Sequence, residues 1–153
     1  MQRWQWIAGV LLVGLAWLGC AAAQATTALD VSGYARETPP GATMSAAYLS
    51  LRNSGKAPRR LVAVTLPDRD GAAAALHTTV VDDGINRMRP LAQLAIPAGA
   101  TVAMAPGGVH LMLRGVRLQA GEQLSLRLHF ANGSERNIRV PVRGPQGGGH
   151  KHG

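Results

Sequence analysis

With 153 residues, the chain has room for one domain and not for two. It is basic, at +8 with neutral histidines, but its arginines are scattered rather than clustered. That distribution argues against a nucleic-acid groove and for a solvated surface suited to an acidic partner protein, while the single cysteine excludes a disulfide framework.

The N-terminus reads as an export leader. Arg3 precedes an uncharged, mostly apolar run over residues 7–19, and Ala23-Gln24-Ala25 fits a small-x-small cleavage site. The run is shorter than the roughly 18 apolar residues of a spanning helix. The expectation is a signal peptide over 1–25, cleaved near Ala25, and a periplasmic protein with no membrane span after cleavage. Cys20 follows Trp17-Leu18-Gly19, a poor lipobox, because Trp stands where Leu is usual and Leu where a small residue is usual. Cleavage removes all three tryptophans (Trp4, Trp6 and Trp17) together with Cys20, and leaves Tyr34, Tyr48 and Phe130 as the aromatics. The mature chain then has no thiolate, so any soft metal site must use methionine.

Beyond the leader, residues 26–143 read as short strands broken by turns. Ala47, Leu49 and Leu51 alternate with Tyr48, Ser50 and Arg52. Leu124, Leu126, Leu128 and Phe130 alternate with Gln123, Ser125, Arg127 and His129, and Ile138, Val140 and Val142 with Asn137, Arg139 and Arg143. Period two with one apolar face means half-buried strands. Turn signals recur, among them Pro39-Pro40-Gly41, Asp83-Gly84, Pro106-Gly107-Gly108 and Asn132-Gly133, and no segment carries a long helical stripe. The pattern predicts an all-β sandwich or small barrel, with residues 144–153 (GPQGGGHKHG) as a polar Gly/His tail.

Two local units stand out along this chain. Asp83-Gly84 is a hairpin signal; with these residues at the turn, Asp82 faces Ile85 and Thr79 faces Met88. His77 shares the face of Thr79, so His77 and Met88 become diagonal neighbours roughly 7–8 Å apart at the backbone. In Val109-His110-Leu111-Met112-Leu113 the aliphatic residues form one face, and His110 and Met112 point together to the other. Each unit thus offers one imidazole and one thioether, and a thioether favours Cu(I) over Zn(II) or Mg(II). On spacing alone, unrelated structural histidines and methionines remain an alternative.

Other candidates read more blandly. Met44 in Thr43-Met44-Ser45 reads as core or loop filler, Met104 beside Val102 as no ligand, and His129 as an exposed strand histidine. His150 and His152 on the tail read either as a loose second position for Cu(II) or as an idle polar end.

The four residues are spaced H-x10-M-x21-H-x-M. In this the chain resembles the periplasmic copper chaperone family PCuAC. The neighbouring runs 35–43 (ARETPPGAT), 87–90 (RMRP) and 105–113 (APGGVHLML) are similar to that family too, and the likeness covers residues 29–143. The resemblance implies a cupredoxin-like Greek-key β fold of one domain, with Cu(I) held by His77, Met88, His110 and Met112. It also implies delivery of copper toward cytochrome oxidase assembly, with an oxidase copper-site subunit or another periplasmic copper chaperone as partner. A copper buffer without a dedicated recipient needs the same site and stays open, as do a monomer and a transient dimer sharing the metal. A blue-copper electron carrier needs a cysteine thiolate, a Cu/Zn dismutase more histidines, and a hydrolase a nucleophile with its base. None is present, so no enzyme is expected.

Overall fold

The structure is a computed structural model, and it describes residues 28–145. The leader with Cys20, the cleavage site, and the tail histidines His150 and His152 lie outside the described residues.

Ten strands follow in order: β1 (Leu29–Arg36), β2 (Met44–Asn53), β3 (Arg59–Thr65), β4 (Ala73–Asp82), β5 (Ile85–Pro90), β6 (Leu94–Ile96), β7 (Thr101–Ala103), β8 (His110–Arg114), β9 (Gln123–Phe130) and β10 (Glu135–Arg143). They pair in the order β5-β4-β8-β2-β1-β10-β9-β3-β6, with β7 on the side of β2. The two halves of this path are joined only by a short parallel ladder, Ala35 to Val142 and Arg36 to Arg143. The chain crosses repeatedly between them, for instance from β2 to β3 and back to β4, so their inner faces close on one another as a two-layer β-sandwich.

The alternating residues fill the space between the layers. Leu51, Leu61, Leu111, Leu113, Leu126 and Leu128 are all fully buried. Burial of a leucine contributes about 1.5–3 kcal/mol, and the described residues, which include no tryptophan, rely on this aliphatic interior for their hydrophobic core. Gly33 on β1 lies so close to Tyr48 and Leu49 that a Cβ there would strike the β2 backbone, and only glycine lets the two strands close. One polar side chain sits fully inside: Asn53 Nδ2 donates to the carbonyls of Ala57 (2.8 Å) and Ile96 (3.1 Å), and its Oδ1 accepts from the Gly55 amide (3.1 Å). These bonds pin the end of β2 to the loop before β3 and to the end of β6.

Several expectations change in detail. Met44 is neither core nor loop: it opens β2 with 45% of its surface exposed. Its neighbour Ser45 takes the inward position and donates to the Arg36 carbonyl, which turns Met44 outward. His129 is only partly exposed, since its ring bridges Thr65 Oγ1 at 2.9 Å and Glu135 Oε1 at 3.1 Å. Tyr48 sits on the outward side of β2 yet is buried, tilted against Tyr34 with ring centroids 5.4 Å apart.

Candidate metal centre

The Asp83-Gly84 turn makes the hairpin of β4 and β5. Both residues have positive φ, 50° and 75°, the requirement of a two-residue turn matched to strand twist. The register is Asp82 to Ile85, Thr79 to Met88 and His77 to Pro90, as the turn signal predicts. Strand β8 lies along the other side of β4, with His77 opposite His110, Ala75 opposite Met112 and Leu76 opposite Leu111. This single pairing brings the two local units together. Met88, His77, His110 and Met112 now stand on one face of three adjacent strands, the face turned away from Leu76, Leu111 and Leu113.

The two imidazoles stack, with centroids 6.0 Å apart and planes 19° from parallel. His110 Nδ1 lies 3.0 Å from the Gly108 carbonyl and His77 Nδ1 3.4 Å from the Ala75 carbonyl. A carbonyl can only accept, so each bond puts the ring proton on Nδ1 and leaves the Nε2 lone pair free for a metal. The Gly108 oxygen also accepts from the Thr79 amide at 3.3 Å, which ties the loop before β8 to the hairpin. His110 is buried although it faces outward, whereas Met88 on the edge strand β5 is 56% exposed. One side of the cluster is therefore fixed in the sheet and the other open to water.

On β5, charge is kept off this face. Arg87 and Arg89 alternate with Met88 and so project to the other side of β5, where they approach Asp82 at 3.5 and 3.7 Å. Both ion pairs are half exposed and contribute little stability. Among the described residues, no three of His, Cys, Asp or Glu converge on a point. A metal bound here therefore needs the thioethers, and thioether sulfur selects a soft ion. Met104, just past β7, is buried in the core with its amide bonded to the Leu49 carbonyl, far from a ligand's requirements.

Comparison with known proteins identifies the family. A family model described as "Putative lipoprotein LpqE-like" matches residues 30–142. The chain belongs to the LpqE-like family. This LpqE-like chain is 36% identical over 106 residues to "Putative lipoprotein Lxx21020" of Leifsonia xyli subsp. xyli (strain CTCB07), a match over 67% of this chain and 63% of that protein. The chain thus spans under two thirds of the length of the curated relative it matches. Among solved structures, the fold is similar to the solution structure of apo-DR1885 from Deinococcus radiodurans, with TM-score 0.59 and 25% identity over 94% of this chain and 97% of that one. The Cu(I) form of DR1885 superposes with TM-score 0.61 and 28% identity, over 80% of this chain and 83% of its own. The copper-bound PCuAC domain from PmoF2 gives TM-score 0.62 at 23% identity, over 77% and 94%, a likeness of fold. The similarity to PCuAC read from the sequence thus holds at the level of the β-sandwich, within an LpqE-like chain.

Proposed function

We propose that this LpqE-like chain is an exported Cu(I) metallochaperone, with His77, Met88, His110 and Met112 as the ligands of one copper ion. The observation that carries the reading is the His77–His110 pairing of β4 and β8, which gathers two Nε2 lone pairs and two thioethers on one face. Neutral imidazole and thioether ligands hold Cu(I) without the strength of a thiolate, so the ion can pass to a site with thiolate or more imidazole ligands. The copper-bound forms of DR1885 and the PmoF2 domain, which share the fold, support the same cargo. The protein carries out no reaction of its own. Its recipient is a copper-site subunit of cytochrome oxidase or another periplasmic copper chaperone.

An export leader cleaved near Ala25 leaves the chain in the cell envelope, and the lipoprotein descriptions of its family model and relative support that envelope location. The tail histidines His150 and His152 form a looser Cu(II) position.

Anaerobic Cu(I) titration in competition with a thiol-bearing acceptor tests binding and transfer together. One colourless equivalent should bind and then move to the acceptor. Intense blue absorption, or no competition at any ratio, would overturn the proposal.

A further inference from the structure

Of the methionines in the described residues, Met88 and Met112 belong to the candidate site and Met104 to the core. Met44 is left, exposed on the outward face of β2. The β2–β8 register places Ala46 opposite Met112 and Met44 opposite Arg114. Met44 is therefore the diagonal neighbour of Met112 on the same face, at about 7–8 Å between backbones, within reach of two flexible thioethers. Both side chains line an open cavity of about 960 Å³, whose walls include Pro40, Leu118, Arg36 and Arg143. Met88 and His77 lie on the other side of Met112 and take no part in it.

We propose that Met44 and Met112 form a two-sulfur exit position through which Cu(I) leaves the four-residue site toward this cavity. The inference rests on the copper reading of the preceding section. Met112 belongs to both positions, so the ion moves by ligand exchange. A bond to Met44 Sδ forms, bonds to Met88 and the histidines break, and Met112 stays attached. Copper remains Cu(I), and no electron or proton is transferred. Each intermediate keeps at least two soft ligands, which avoids release of a bare ion into water. An incoming acceptor meets the ion in the cavity, whose charged lining of Arg36, Arg117 and Arg143 against Glu37 is net positive and suited to an acidic docking surface.

The test uses the full-length mature chain with ¹³C-labelled methionine methyls. During anaerobic Cu(I) titration, the Met44 methyl should shift together with those of Met88 and Met112, while Met104 stays still. In stopped-flow transfer to the chelator bathocuproine disulfonate, Met44→Leu should slow transfer about tenfold, equivalent to about 1.4 kcal/mol, by more than it weakens equilibrium binding. A stationary Met44 methyl overturns the proposal, and so does a shifted methyl with transfer at the wild-type rate. If Met88 and Met112 are stationary too, the four-residue site itself fails and the exit position falls with it.

Discussion

His110 is a buried histidine between the core residue Leu111 and the partly buried Val109, and its ring is oriented by one backbone oxygen. Such a residue is expensive to bury unless its polar atoms find partners. Gly108 satisfies Nδ1, while Nε2 is not among the buried atoms without a partner and stays accessible to a metal. Met112 adds what imidazole lacks, a neutral soft donor. Met112→Ala should therefore weaken Cu(I) by at least tenfold and leave Zn(II) nearly unchanged, measured by competition with a chelator of known affinity for each ion; equal loss of both would contradict a thioether ligand. Asn53 plays a purely structural part. Asn53→Ala removes three hydrogen bonds and strands the buried Ile96 carbonyl, so it should cost about 2 kcal/mol in urea unfolding with Cu(I) affinity kept.

The hairpin of β4 and β5 is the element that makes the site, and also its weakest part. Every residue of β5 is exposed, and the strand is held by β4 alone. Gly84→Ala puts a Cβ at φ 75° and should cost about 1 kcal/mol, concentrated in this hairpin. Amide exchange should then quicken along β5 and Cu(I) bind more weakly, while exchange in β9 and β10 stays slow. Unaltered copper binding with a loosened β5 would remove Met88 from the ligand set. The register of this hairpin was legible in the sequence because turn chemistry fixes it locally, and β8, β9 and β10 because their alternation is regular. Strand β3 was not legible. A bulge between Leu61 and Ala63 leaves Leu61 and Val64 buried three residues apart, which destroys period two. Strand β1 hides its inward positions behind Gly33 and Ala35, which carry almost no hydropathy signal. The pairing of β4 with β8 was out of reach for a different reason. It joins segments distant in sequence through backbone bonds that no side-chain pattern encodes, so the two His/Met units could be found but not brought together. Met44 was misread because alternation was followed from Ala47 onward and not back to the first residue of β2.

For the molecule as a whole, a rigid aliphatic sandwich presents a polar and sulfur-bearing face on one layer. Stability and binding should therefore separate. Leu126→Ala, in the layer opposite the site, should cost 2–5 kcal/mol on the usual scale for leucine cavities while Cu(I) affinity in the folded state is unchanged. Removing residues 147–153 should abolish Cu(II) uptake by the tail and leave Cu(I) binding intact; loss of Cu(I) binding would show that the two positions are not separate. The central claim, that one ion bridges β5, β4 and β8 through two nitrogens and two sulfurs, is tested most directly by X-ray absorption at the copper edge on the protein loaded with one equivalent of Cu(I). Sulfur and nitrogen scatterers should appear in equal number, with one sulfur lost in Met88→Ala. A first shell without sulfur, or a sulfur count indifferent to Met88, would contradict it.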